Sequence, residues 1–430
     1  MNGSDILNIK EQYEEDDSIR SYQYYQYSPI TGTNLNASGE IRITIESQDE
    51  FFHPANSYLL FTGRLVKATA DAAYVNNDVV SLINNPMPYL FSTFKYELSG
   101  HEIECINYPG PASTMQGLLK YSDDFAQSQG LNMCWCKDTD AGTASLTVNS
   151  GFTKRHAYII KEPDPKGSFS FAVPLTHFFS FCEDYQKVVY GMKHMLTCVR
   201  KGSSNDAIFR NDAAAAGKII LDDVSWYMPR VRPNDSQTFA LMKIIESKPT
   251  LDVAFRMRQC DTITVTPSTS FTWRLSVRSA PERPRFIIIG LQTARGDDQK
   301  KNPAAFDNCN VKNMHVVLNS DRYPADDYNA DFTKKSISRF YKDACDFIPK
   351  YSGVFNAQCN IDPAAYATLF PLYVFDVSRQ SERLKSGIVD VTVKMEFSAA
   401  VPAQTQAYAL VICDRIIKFK GDGSRMNVVI

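Results

Sequence analysis

Tryptophan and histidine are scarce in this chain, at 3 and 6 of 430 residues, and several sequence patterns typical of enzymes are missing. The histidines stand far apart, so neither a His-x-x-x-His metal pair nor a histidine beside a nucleophile elbow is indicated. No glycine-rich loop follows a strand and opens a helix, which excludes the usual phosphate-binding pattern. We therefore expect no cofactor, no metal and no catalytic residues, although a catalytic group assembled only by folding would leave no such spacing.

A strong charge and a long apolar run are also absent. The net charge is −2, so no global field draws the protein toward nucleic acid or anionic lipid. The first twenty residues carry six acids against Lys10 and Arg20, the opposite of a basic arm that condenses a genome. We expect no direct sequence-specific binding of nucleic acid. No apolar run reaches the ~20 residues that cross a bilayer, which predicts a soluble protein.

The ten cysteines are scattered, and no signal peptide precedes them. This spacing favours a reduced intracellular protein over a disulfide framework. Cys134 and Cys136, with His156 nearby, contain at most part of a metal site, because a soft-metal site needs about four ligands. Two loop cysteines without a metal is the favoured interpretation.

Strand-like patterns dominate the sequence, which also contains 26 Phe and 22 Tyr. Apolar and polar residues alternate with period two over residues 41–46, 94–98, 169–173 and 391–397. Helical spacing is found in residues 237–246 and 331–350, and a short amphipathic stretch (Ile6, Ile9, Tyr13) lies near the N-terminus. Because strands recur without βα alternation, the chain is predicted to be all-β with short helical inserts, as a sandwich or barrel.

The length of 430 residues predicts two domains. We interpret the segment Pro229–Pro233 as a break, which divides the chain into an N-terminal extension (1–37), a first sandwich (38–233), a linker with a short helix (234–246) and a second sandwich with a C-terminal tail (247–430). The extension contains a tyrosine-rich run that includes Tyr24 and Tyr25. This run is either a loose terminus or an arm that packs against a neighbouring subunit.

Two polar clusters have both a functional and a structural interpretation. Arginines at 274, 278, 283, 285 and 295 lie near Trp273 and Phe286, as in a nucleic-acid groove, but their alternation with apolar residues favours a solvated strand face or subunit contacts. Ser378, Arg379 and Glu382 could form a catalytic group. A turn in which Arg379 pairs with a carboxylate is the favoured interpretation.

Several of these segments resemble the double jelly-roll major capsid proteins of Polinton/Maverick elements, virophages and the adenovirus-like lineage. The similar stretches are 90–103, 178–185, 225–231, 272–293, 318–324 and the sequence Ser378-Arg379-Gln380 with Glu382 and Lys385-Ser386-Gly387. The resemblance implies two tandem eight-stranded jelly rolls in each chain. It also implies three chains in a pseudo-hexameric capsomer and an icosahedral viral shell.

The resemblance further implies that the partners are other copies of the chain together with penton and minor capsid proteins, in a virion assembled inside the host cell. The alternative is a β-sandwich carbohydrate-active or glycan-binding protein, which would need exposed aromatic platforms or convergent carboxylates. The residues predicted to serve structure or assembly are Tyr24, Tyr25, Trp226, Trp273, Arg285, Arg379 and Glu382.

Overall fold

The computed structural model describes residues 17–46, 49–139, 142–276, 283–379 and 390–429. Within them, the first half of the chain forms the strands β1 (Ile19–Tyr27), β2 (Gly39–Ile45), β3 (Phe51–Phe52), β4 (Tyr58–Lys67), β5 (Val80–Leu82), β6 (Phe91–Leu98), β7 (His101–Asn107), β8 (Ser168–Pro174), β9 (Val189–Tyr190), β10 (His194–Arg200), β11 (Ile208–Arg210) and β12 (Gly217–Pro233). The second half forms β13 (Thr250–Val265), β14 (Ser270–Arg274), β15 (Arg283–Thr293), β16 (Val311–Leu318), β17 (Asp321–Tyr323), β18 (Tyr373–Asp376), β19 (Val391–Phe397), β20 (Thr405–Gly421) and β21 (Met426–Val429).

The helices are short and lie mostly between strands. In chain order they are α1 (Pro86–Tyr89), α2 (Pro109–Lys120), α3 (Asp123–Gln127), α4 (Ser150–His156), α5 (Leu175–Phe178), α6 (Ser180–Asp184), α7 (Asp235–Glu246), α8 (Ser338–Cys345), α9 (Phe347–Ser352) and α10 (Pro363–Thr368). The helix predicted for residues 237–246 is α7, whose N-cap Asn234 accepts the N–H of Gln237. The helical spacing in residues 331–350 corresponds to α8 and α9.

Each half is a sandwich of two main antiparallel sheets. In the first half one sheet places β12 between β1 and β4, with β8 beyond β4, and the other has the order β2-β10-β6-β7. Aromatic side chains join the two sheets: Phe61 lies 5.9 Å from Phe91, and Tyr96 lies 6.1 Å from Trp226, between ring centroids. Alternating burial along β2, in which Ile41, Ile43 and Ile45 point inward, shows why the period-two pattern becomes a strand.

The second half repeats this topology. Its sheets have the orders β13-β20-β15-β18 and β14-β19-β16-β17. Each half has eight main strands once the short strands β3, β5, β9, β11 and β21 are left out. If the eight are numbered in chain order within each half, one sheet has the order first–eighth–third–sixth and the other has the order second–seventh–fourth–fifth. This is the wound order of a jelly roll. The predicted fold class, two tandem eight-stranded jelly rolls with short helical inserts, is confirmed.

The interpretation of residues 229–233 as a break is wrong, because β12 runs unbroken from Gly217 to Pro233. Pairing with β4 ends at Tyr227 and pairing with β3 begins at Arg230, so the missing N–H of Pro229 falls where the neighbouring strand changes. The carbonyl of Pro229 is still used and accepts the N–H of His53 at 3.0 Å.

The tyrosine-rich run also lies differently from the predicted extension. Residues 19–27 form β1, which pairs with β12 of the same chain, so that Tyr24 faces Pro229 and Tyr25 faces Met228. β1 is the first strand of the first sandwich, as β13 is of the second. The alternation Tyr-Gln-Tyr-Tyr-Gln-Tyr suits a strand, since tyrosine has high β propensity.

Candidate interaction surfaces

Across the described ranges, no three His, Cys, Asp or Glu side chains are grouped so that they could hold a metal ion. The ring nitrogens of His156 lie against carbonyls instead, Nδ1 at 2.8 Å from Val80 and Nε2 at 3.1 Å from Asn76. Burial raises the pKa of both Cys134 and Cys136, which keeps them as thiols. In the described part of the chain, no helix is both long and apolar enough to span a bilayer.

The most organised polar site lies where the two sandwiches meet. Among the described residues, β13 is an edge strand that pairs only with β20. Side chains of the first sandwich cover its other edge: Oε1 of Glu104 accepts the backbone N–H of Arg258 at 3.0 Å, and Oδ2 of Asp184 accepts that of Arg256 at 2.8 Å. Oε2 of Glu104 accepts the N–H of Phe181 at 3.1 Å. The Glu104 carboxylate therefore joins both sandwiches, and it accepts a backbone hydrogen bond from a strand edge that has no neighbouring strand.

Charged side chains surround this edge. The Arg258 guanidinium contacts Glu183, and Arg256 contacts Asp184, with Nε of Arg256 at 2.9 Å from Oδ2. Lys120 completes the cluster, with its Nζ at 3.0 Å from Oε1 of Glu183. Burial alone would raise the pKa of Glu183, but Arg258 and Lys120 hold it at about 2. Burial is the larger effect at Glu104 and raises its pKa to about 7.

Aromatic contacts continue the junction around the charged cluster. The rings of Phe181 and Phe255 meet edge to face with centroids 5.4 Å apart, and those of Tyr185 and Phe419 do so at 5.6 Å. The Arg256 guanidinium lies over the ring of Tyr351, 3.8 Å from its centroid. Such contacts add packing energy to the polar bonds, as expected of a permanent interface.

A loop of the second sandwich, residues 294–310, forms a second part of the junction. The Gln299 side chain accepts the N–H of Gly217 at 2.9 Å and donates to its carbonyl at 2.6 Å. Nδ2 of Asn302 donates to Oδ2 of Asp138 at 2.7 Å. The other oxygen of Asp138 pairs with Arg155, and both side chains are fully buried.

The two tryptophans predicted for structure or assembly lie in the core. Trp226 is fully buried and Trp273 nearly so, and so is the third tryptophan, Trp135. Nε1 of Trp226 has no hydrogen-bond partner among the described residues. None of the three indoles can therefore form the exposed platform that a glycan-binding surface requires.

The predicted tyrosines and charged residues lie nearer the surface. Tyr24 is 48% exposed, and the Tyr25 ring lies 5.4 Å from the Arg230 guanidinium. Arg285 pairs with Asp414 at 3.2 Å. Arg379 is exposed in a turn in which Ser378 bonds to Asp376 at 2.6 Å, and Glu382 lies outside the described residues. Among the described residues, the structure does not bring these side chains together into one site.

The arginines of the predicted basic–aromatic cluster are mostly engaged with carboxylates. Arg274 pairs with Asp390 at 2.8 Å, and Arg295 pairs with Asp307 at 2.5 Å. Arg285 pairs with Asp414, as above, and Arg278 lies outside the described residues. Because these pairs neutralise the charge, the structural interpretation is favoured over a nucleic-acid groove.

The topology agrees with comparisons to known proteins. The family model of the double jelly roll-like domain matches residues 80–417. The chain belongs to this family. No curated protein is significantly similar to this double jelly-roll chain in sequence.

Several solved structures with the same fold come from viruses. The Faustovirus major capsid protein is 12% identical at a TM-score of 0.60, over 95% of this chain and 92% of its own. A chain of the Sputnik virophage is 10% identical at a TM-score of 0.61, over 99% of this chain and 91% of its own. The mavirus major capsid protein is 11% identical at a TM-score of 0.52, over 99% of this chain and 93% of its own. At these identities the likeness shows the shared fold.

Proposed function

We propose that this chain is a major capsid protein that trimerises into pseudo-hexameric capsomers and builds an icosahedral viral shell. The observation that carries the proposal is the double jelly-roll fold, shared over 95% of the chain with the Faustovirus major capsid protein and over 99% with that of mavirus. The absence of a metal-binding group in the described residues is compatible with a structural role without catalysis.

The internal junction supports this proposal physically. The buried ion pairs and aromatic contacts hold the two sandwiches at fixed positions, and a shell subunit needs that rigidity because every copy must present the same lateral surfaces. The chain would act as two units, residues 38–233 and 247–430, joined by the linker 234–246. β1 extends the first unit toward the N-terminus.

The partners would be further copies of the chain, then penton and minor capsid proteins, in a virion assembled inside the host cell. The residues for assembly would be those with exposed side chains, Tyr24 and Arg379, together with the half-buried Tyr25 and Arg285. Trp226 and Trp273 would act indirectly, by fixing the core behind these surfaces. Glu382 stays a sequence-based candidate.

Electron microscopy of the purified full-length chain tests the proposal. We expect negative-stain class averages of particles with a pseudo-hexagonal outline, and arrays or closed shells when the protein is concentrated or co-expressed with minor capsid proteins. Isolated two-lobed particles at every concentration and in every co-expression would contradict it.

A further inference from the structure

Two cysteines of the second sandwich lie beside each other, although α9 separates them in the sequence. Cys345 is the last residue of α8, and Cys359 lies in the segment between α9 and α10. Tyr341 precedes Cys345 by one helical turn on the same face of α8, and its hydroxyl donates to the carbonyl of Ile361 at 2.9 Å. This bond holds the segment after α9 against the end of α8, where the side chains of Cys345 and Cys359 are hydrogen-bonded to each other.

The two thiols differ in acidity. A hydrogen bond from Cys359 is the largest effect on Cys345 and, with a second one from the Tyr341 hydroxyl, lowers its pKa to about 7. Burial and Asp346 oppose this shift in pKa, and Lys342 adds to it. The same contact, together with burial, raises the pKa of Cys359. Cys345 therefore supplies a thiolate near neutral pH, and Cys359 keeps its proton until its partner has reacted.

The pair is open to small reagents. Both side chains are partly exposed, and Cys359 lines an open cleft of about 550 Å³. Cys136 of the first sandwich lines the same cleft, but it is buried, and burial raises its pKa. All ten cysteines are free thiols in this structure, so it describes the reduced state of the pair.

We propose that Cys345 and Cys359 form a reversible disulfide when the protein meets a small-molecule disulfide such as oxidised glutathione. The Cys345 thiolate attacks one sulfur of the reagent, which releases a glutathione thiolate and leaves a mixed disulfide on Cys345. The Cys359 sulfur then attacks the Cys345 sulfur, and a second glutathione thiolate leaves. The protons of the two cysteines pass to the two released thiolates, and the reagent gains the two electrons that the protein loses.

The disulfide restrains part of the junction between the sandwiches. It closes a loop of about 15 residues around α9. α9 carries Tyr351, whose hydroxyl donates to Oε2 of Glu183 at 3.0 Å and whose ring lies under the Arg256 guanidinium. The consequence for a virion, which alone rests on the proposed function, is a subunit that assembles with free thiols in the reducing cell and is stabilised outside it.

Peptide mapping by mass spectrometry, after incubation of the full-length protein with oxidised glutathione, tests the pairing. We expect a peptide in which Cys345 is joined to Cys359 and which dithiothreitol separates. In Cys359→Ser, Cys345 should retain one glutathionyl group, whereas in Cys345→Ser the less acidic Cys359 should take up none. Cys136→Ser is the matched control, because Cys136 lines the same cleft, and this variant should form the disulfide as the unaltered chain does.

Phe355 provides a second readout, because it lies inside the closed loop and is 93% exposed. Cleavage there by chymotrypsin should give two fragments that stay joined on a non-reducing denaturing gel after oxidation and separate after reduction. In Cys345→Ser they should separate under both conditions. Oxidation should also raise the melting temperature of the unaltered chain by about 3–6 °C and leave that of Cys345→Ser unchanged.

Two results would overturn the pairing: free thiols at both positions after oxidation of the unaltered chain, or a linkage of either cysteine to Cys136. Both would leave the capsid proposal intact, because that proposal is decided by the outline and assembly of the particles. An unchanged melting temperature in a chain shown to contain the disulfide would overturn the restraint on the junction.

Discussion

The carboxylate of Glu104 in the first sandwich accepts the backbone N–H of Arg258 in the second at 3.0 Å. Its other oxygen accepts the N–H of Phe181. A buried side chain thus closes the edge of β13, where an unpaired strand would otherwise invite wrong pairing with other chains. The junction is therefore a protection against misassembly as well as a source of stability.

Removal of this carboxylate should destabilise the protein. Glu104→Ala leaves two buried N–H groups without acceptors, at a cost of about 1–3 kcal/mol each. Glu104→Gln should cost less, since its amide oxygen can still accept one of them. The free energy of unfolding from urea titration measures both. Glu102→Gln is the control, because Glu102 lies two residues away on β7 and is exposed; equal losses in both positions would contradict the assigned role.

Two buried histidines should make the protein sensitive to acid. Burial lowers the pKa of His177 and of His194 to about 3 in the folded chain, below the ordinary value of 6.5. The unfolded chain therefore binds more protons between these values, so stability is fully present above about pH 6.5 and is lost as pH falls toward 3. Glu104 acts in the opposite sense, because its raised pKa makes the folded chain bind a proton first as pH falls below about 7.

We expect the melting temperature to fall between pH 6.5 and pH 4, since two histidines outweigh one glutamate. His194→Gln should flatten this dependence, because glutamine does not titrate and can still bond to the Tyr96 hydroxyl that now lies 2.8 Å from Nδ1 of His194. His101→Gln, at an exposed position on β7, should keep the original slope. A slope unchanged by His194→Gln would show that this histidine is not responsible.

The buried pair of Asp138 and Arg155 links the loop 294–310 to the first sandwich through Asn302. Asp138→Asn leaves the Arg155 charge buried without its partner and should cost about 3–5 kcal/mol in unfolding free energy. Asp222→Asn removes an exposed partner of Arg64 and should cost about 0–1 kcal/mol. Comparable losses of unfolding free energy in Asp138→Asn and Asp222→Asn would mean that the Arg155 charge is stabilised by something other than Asp138.

Gly117 allows α2 to pack directly on an indole ring. A Cβ at this position would lie 2.3 Å from Cη2 of Trp135. Gly117→Ala should therefore destabilise the protein by about 1–3 kcal/mol, measured by thermal unfolding. Gly296→Ala, where a Cβ would meet no atom within 4 Å, should be neutral. A neutral Gly117→Ala would mean that the Trp135 side chain can move aside.

The sequence was informative where structure is local. Alternating residues such as Ile41, Ile43 and Ile45 predicted strands, and the helical spacing of residues 237–246 predicted most of α7. Prediction failed at Pro229, because a proline is tolerated where the neighbouring strand changes, and no local pattern shows that. It also missed Glu104, whose partner Arg258 lies 154 residues away. The adjacent acids Glu183-Asp184 and the Arg256-x-Arg258 pair were the available signal, but only the fold brings them together.

The mass of the purified protein in solution, measured by size-exclusion chromatography with light scattering, tests the central claim most directly. A shell-building chain whose lateral surfaces are complementary should elute as a particle of three times the 48.4 kDa chain mass. That mass should persist on dilution to the micromolar range, as large permanent interfaces allow. A mass of one chain across the whole concentration range would contradict the account.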